Sequence, residues 1–307
     1  MRTVPASTQS LLTKAVESYS TALGHLDSEG ASSSIRATVR FHYLRLDPIT
    51  GRPMVEQLID LLYNQLGQFC LKASRSEGSM YQHDAVALHL VARRLLRRAN
   101  TSGEAGEILI YFLIEAILEA PQLVAKMDLK TNTRFESLGA DGLHFKWNPD
   151  GKFLDIYCAE SKLEMRVSKA VSNLVKSLKK FHLQEDHKNE LRLATAHFKH
   201  ADEQMKGFVT RVLQNRELGI TYRLRHACLV GYNWNRYEGL AGSDVMDREA
   251  EFRSAYTADR PKLLQLLEKH FHQAADAAGS LVAFEVFFLP FESVQDFRTK
   301  FNMLVDC

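Results

Sequence analysis

The stretch Gly139-Ala140-Asp141-Gly142-Leu143-His144-Phe145-Lys146-Trp147-Asn148-Pro149-Asp150-Gly151-Lys152-Phe153-Leu154-Asp155-Ile156-Tyr157-Cys158-Ala159-Glu160-Ser161-Lys162 reads as two short apolar runs joined by the turn residues Asn148-Pro149-Asp150-Gly151, the pattern of a β-hairpin. Side chains alternate along a strand, so Glu160 and Lys162 share one face. Folding the runs together is expected to set Asp141 roughly opposite Cys158 and diagonal to Glu160. Two carboxylates and an amine then converge on one small volume. Leu154, Ile156 and Cys158 lie on the same face as Glu160, so the acid continues an apolar stripe. Burying it is costly unless a metal or another cation compensates.

That set suits phosphodiester hydrolysis. Paired carboxylate oxygens from Asp141 and Glu160 hold Mg²⁺ (or Mn²⁺), which neutralises developing phosphate charge and lowers the pKa of a bound water. Lys162 then positions or helps deprotonate the water. The competing reading takes the same residues as ordinary charges on the solvated face of a hairpin. A third acid lies upstream, where Gly103-Glu104-Ala105-Gly106-Glu107 opens a helical run, 108–118, that is apolar on nearly every side and belongs in a core. Glu104, Glu107, Tyr111 and Glu115 fall near one stripe of that helix. Glu107 is expected to reach the metal from behind the hairpin, whereas Glu104 suits the positive end of the helix dipole.

In this order, Gly106-Glu107 on an apolar helix, Gly139 to Phe145, then Ala159-Glu160-Ser161-Lys162-Leu163 resemble the PD-(D/E)xK nuclease superfamily. More narrowly, they are similar to the HamA family, the nuclease subunits of Hachiman anti-phage defence. The likeness is densest over 103–172, with a weaker echo in Phe287-Phe288-Leu289-Pro290-Phe291 followed by Phe297-Arg298. It implies a restriction-endonuclease-like core. It also implies Asp141 and Glu160 as metal ligands, Lys162 as the catalytic lysine, Glu107 as the helix acid and the Ser161 carbonyl as a further ligand. A large ATP-dependent helicase (HamB-like) is the implied partner, and DNA destruction during infection the implied role. Ala140 stands where the superfamily pattern has Pro.

The chain has 307 residues, 45% hydrophobic and 25% charged, which is ordinary for a soluble globular protein and excludes disordered and fibrous classes. Four scattered cysteines (Cys70, Cys158, Cys228, Cys307), with no CxxC pair and no signal peptide at the start, suggest free thiols in a reducing cytoplasm. The most apolar window, 108–120, carries Glu115 and Glu119 and is too short for a bilayer. With a formal net charge of +2, DNA affinity must come from local basic patches. One patch is Arg93-Arg94 with Arg97-Arg98, closing a helix that begins near Asp84. The other is Lys169, Lys176, Lys179 and Lys180 on a helix after the ExK strand, beside the expected metal.

Alternation from Ile35 to Tyr43 gives a half-exposed strand, and Leu58, Leu62, Leu66 and Phe69 give an amphipathic helix. Residues 71–80 read as a boundary or mobile loop. Beyond helix 167–181, a polar helix-prone stretch covers 186–218, followed by a strand at 221–234, a helix at 259–278, a buried strand at 281–289 and a final helix at 294–304. The order argues an α/β fold with a central mixed sheet flanked by helices. Region 1–100 is an α/β extension suited to partner docking, and 101–307 is the nuclease-like domain. His197, His200, His270 and His272 lack a completing ligand set for zinc, and Tyr222, Tyr232, Trp234 and Tyr237 suit packing better than base stacking. No G-x-x-x-x-G-K-[ST] loop is present, so ATP hydrolysis is not expected of this chain. The alternative function is a catalytically silent DNA- or protein-binding regulatory subunit on the same scaffold. A weaker third reading is a protein-interaction subunit using the aromatic segment 284–301.

Overall fold

The computed structural model describes residue 15 and residues 18–26, 30–32, 36–70, 103–124, 140–148, 153–183, 207, 210–212, 221–242, 245–278 and 282–306. The readings at 71–80 and 84–98, the turn at 149–152 and most of 186–218 lie outside them.

Eight strands form one mixed sheet: β1 (Leu23–His25), β2 (Gly30–Ser32), β3 (Ala37–Leu44), β4 (Gln122–Val124), β5 (Gly142–Asn148), β6 (Phe153–Glu164), β7 (Thr221–Asn233) and β8 (Ala283–Phe291). Their order is β1-β3-β8-β7-β6-β5-β4, with β2 also on β3. The middle four, β3, β8, β7 and β6, are mutually parallel. Antiparallel strands finish both sides. Parallel strands are buried on both faces, and the sequence supplies residues for each. In β8, Phe287, Leu289 and Phe291 enter one core while Phe284, Val286 and Phe288 enter the other.

Among the described residues five α-helices are complete enough to trace over the faces: α1 (Val55–Cys70), α2 (Glu104–Leu118), α3 (Val167–Leu183), α4 (Val245–Ala278) and α5 (Val294–Asp306). Helices α1, α2 and α5 share the first core, and α3 and α4 the second. The all-round apolar helix of the sequence is α2, in which 13 of 15 residues are buried, Glu104 and Glu115 among them. Glu104 therefore does not stand in solvent at the helix entry. Glu115 Oε1 accepts the backbone N–H of Gln122 at 3.1 Å.

Two expectations need correction. The helix placed at 259–278 starts at Val245 and runs through Pro261. Asp259-Arg260-Pro261 has the form of a helix start, but buried Phe252, Tyr256, Leu263, Leu267 and Phe271 lie on both sides of the proline in one core, and tertiary packing overrides local propensity. Asp259 instead accepts hydrogen bonds from Trp234 Nε1 (3.0 Å) and Arg236 Nη2 (2.7 Å). The aromatic segment 284–301 builds core: Phe284, Phe287, Phe288, Phe291, Phe297 and Phe301 are each at most 1% exposed, so none is offered to a partner. Tyr232, Trp234 and Tyr237 are buried as well. Cys70, Cys158 and Cys228 are buried. Among the described residues no helix is long and apolar enough to cross a membrane.

Candidate active site

The hairpin forms, with a register shifted from expectation. Asn148 pairs with Phe153 and Leu143 with Cys158, which leaves Asp141 one step beyond the pair Gly142–Ala159, level with Glu160. Asp141 is thus beside Glu160 and Ser161, not opposite Cys158. The sequence shows that a turn exists but not which residues close it, and a shift of two positions preserves every facing. The Asp141 backbone N–H donates to the Ala159 carbonyl at 2.7 Å. Its carboxylate Oδ2 accepts from both Ser161 N (2.7 Å) and Ser161 Oγ (2.9 Å). One residue therefore fixes the carboxylate with two donors.

Beyond Gly142, β5 no longer covers that side of β6. In a paired strand the N–H and C=O of one residue point to the same side, so the Ser161 carbonyl lies on the Asp141 side of β6, just past the end of β5. Glu160 is 7% exposed, with Lys162 Nζ at 2.5 Å from its Oε1. Burial first, and the Asp141 charge second, push the Glu160 carboxyl up to about 7, against the opposing pull of Lys162 and a hydrogen bond from Ser177. Desolvation disfavours the charged form and a second carboxylate adds to it; a cation placed between the two acids relieves both.

Glu107 comes in on the other face. Its neighbour Gly106 lets α2 approach β6 closely, because a Cβ there would stand 2.9 Å from Ser161 Oγ and 3.3 Å from Leu163 Cγ. Glu107 is only half-buried on a helix otherwise almost wholly buried. The acids do not close into a ring, however. Among the described residues no group of three or more His, Cys, Asp or Glu is arranged to hold a metal ion. The structure brings Asp141, Glu160, Ser161 and Lys162 together and sets Glu107 next to Gly106, the residue of α2 that meets Ser161. His270 and His272 on α4 join no such group, and His197 and His200 lie outside the described residues.

Of the four lysines, Lys169, Lys176 and Lys180 recur at helical spacing and are exposed. They form a stripe on α3. Lys169 reaches Glu164 at the end of β6 at 2.9 Å, and Asn173 bonds the same carboxylate at 2.7 Å, so the stripe runs beside the site. Lys179 departs from it, donating to Gln273 of α4 at 3.4 Å. Sequence reasoning missed Ser177, one residue from Lys176, and the seating role of Gly106. A glycine inside an apolar helix is a signal of close approach; Ser177 carries none. The HamA family model matches residues 22–304 of the chain. No curated protein matches it.

Proposed function

This chain belongs to the HamA family, a component of Hachiman defence, and we propose that it is a metal-dependent deoxyribonuclease acting with, and restrained by, an ATP-dependent helicase subunit. The observation that supports this reading is the buried Glu160 carboxyl, pushed up to about 7 beside Asp141 and in contact with Lys162. A buried acid beside a second carboxylate and a lysine at the end of a hairpin is a poor device for stability, since buried ion pairs seldom repay desolvation. It is a good one for catalysis.

The donor set fits Mg²⁺ (or Mn²⁺), which takes oxygen ligands and is commonly held by one or two carboxylates together with substrate phosphate. Asp141, Glu160 and the Ser161 carbonyl would hold the ion, with Glu107 reaching it from α2. When bound, it supplies charge neutralisation at the phosphate and a more acidic water. Ser161 keeps the Asp141 carboxylate oriented through its N–H and hydroxyl. Lys162 holds its ammonium over Glu160, from which it orients the attacking water and carries a proton at Nζ. The α3 stripe of Lys169, Lys176 and Lys180 binds the DNA backbone.

One observation favours the second reading, a catalytically silent regulatory subunit: the described acids do not form a three-member group. The deciding experiment incubates purified protein with supercoiled, linear and single-stranded DNA in Mg²⁺, Mn²⁺ or chelator, alone and with the co-expressed helicase and ATP. Cleavage that needs metal and is lost in Glu160→Ala and in Lys162→Ala, with folding retained, is the expected result. No cleavage in any arm selects the regulatory reading. Helicase docking is assigned to the 1–100 region, where Ile49 stands 83% exposed on a turn. Co-purification should be lost on Ile49→Asp; an unchanged complex removes that assignment.

A further inference from the structure

We infer that Arg298 binds a DNA backbone phosphate next to the one that is cut; the inference rests on the nuclease reading for what it does, but not for how it is tested. Arg298 lies on α5, far from the hairpin in sequence, yet its Nη2 donates to the Leu163 carbonyl at 2.9 Å. Leu163 is the residue after Lys162 and lies two positions beyond Ser161, a step of roughly 6.6 Å along the strand. By the same alternation, the Leu163 carbonyl faces the side of β6 that β5 leaves uncovered after Gly142. The guanidinium is therefore anchored to the edge at which Asp141 and the Ser161 carbonyl meet.

Its own bonding is incomplete. Arg298 Nε is buried with no hydrogen-bond acceptor. Among the described residues no carboxylate lies within ion-pair distance of the group; Glu164 acts on it only from further away. Burial holds the guanidinium below its ordinary pKa against the weaker opposing pull of Glu164, the mark of a cation taken partly out of water with no counter-charge in contact among the described residues. Elsewhere this protein pairs its half-buried arginines: Arg225 with Asp155 and Glu285, and Arg40 with Glu285. Nε is enclosed and Nη2 is held by one carbonyl, but the side chain as a whole is only half-buried, so it is the outer edge of the planar fork that suits a phosphate oxygen.

A purely structural role, tying α5 to β6, is the rival. The test measures binding of a short DNA duplex in chelator, where nothing is cut, over a range of salt, for the parent, Arg298→Gln and Arg298→Lys, with melting temperatures alongside. For Arg298→Gln we expect affinity about tenfold weaker and the slope of log affinity against log salt smaller by roughly one. Arg298→Lys should restore the slope. A parental slope in Arg298→Gln, with or without a lower melting temperature, overturns the inference. So does an Arg298→Lys slope equal to that of a folded Arg298→Gln. Should Arg298→Gln fail to fold, Arg298→Met, which keeps the stem and removes the charge, decides in its place: a slope reduced by roughly one supports the contact, and a parental slope overturns it. A parent that binds duplex but never cuts it in Mg²⁺ removes the nuclease reading and leaves this comparison intact, whereas a parent that binds no duplex defeats both.

Discussion

Glu160 holds a proton in the folded chain over a range in which the unfolded chain has already released it. Its carboxyl titrates near 7 against an ordinary 4.5, so stability falls as pH rises through that interval and the penalty is complete above it. A shift of that size is at most about 3 kcal/mol. Glu160→Gln in chelator should therefore melt with the parent near pH 4.5 and a few degrees above it at pH 8. A gain that does not change with pH would show that charge is not the cause. The closeness of Asp141, Glu160 and Lys162 could be read from the sequence because strand alternation converts spacing directly into facing. Ser177 and Arg298 could not, since each reaches the site from another element and nothing local marks it. The Ser161 hydroxyl on Asp141 was equally hidden, because it depends on a register that only the folded pair reveals.

At the scale of elements, close approach decides more than composition. Gly231 of β7 faces Leu163 of β6, and a Cβ at Gly231 would stand only 2.2 Å from Leu163 Cδ2 and 3.1 Å from Phe291. Gly231→Ala is expected to destabilise by about 2 kcal/mol through overpacking. Adding Leu163→Ala should cost less in that background than in the parent, and strict additivity in a denaturation cycle would refute the clash. On α3, replacing Lys169, Lys176 and Lys180 together by Gln should flatten the salt dependence of DNA binding by roughly three phosphate contacts, while Lys179→Gln leaves it unchanged. Equal effects from Lys179 and from any one of the three would dissolve the stripe. The strands β3, β7 and β8 and the helices α1, α2, α3 and α5 were legible within a few residues from period and burial. The short strands β1, β2 and β4, of three residues each, carry too few side chains to show a period, and the first turns of α4, before Asp259, are held by packing across Pro261 that no local signal announces.

Across the molecule, one chain of alternating charge crosses four strands: Asp155 to Arg225, Arg225 to Glu285, and Glu285 to Arg40. The two acids are each 7% exposed at the side chain. Glu285→Gln leaves two half-buried guanidiniums facing a neutral group and should cost about 3 kcal/mol; a change below about 0.5 kcal/mol in urea denaturation would show the ladder to be idle. The same ladder draws attention to the pairing of β3 with β8, in which Ala37 meets Phe284. Those partners are separated by most of the polypeptide, and closing so long a loop delays the contact that completes the sheet. During synthesis β6 and its hairpin emerge long before β8 can lie against β7. The acids at the hairpin's end are thus assembled early but braced late, and α5, which carries Arg298, follows β8 in turn. If the chain is the nuclease proposed above, a nascent chain that has not yet exposed α5 would hold Asp141, Glu160 and Lys162 without the Arg298 contact to β6, so the order of emergence would itself delay the activity.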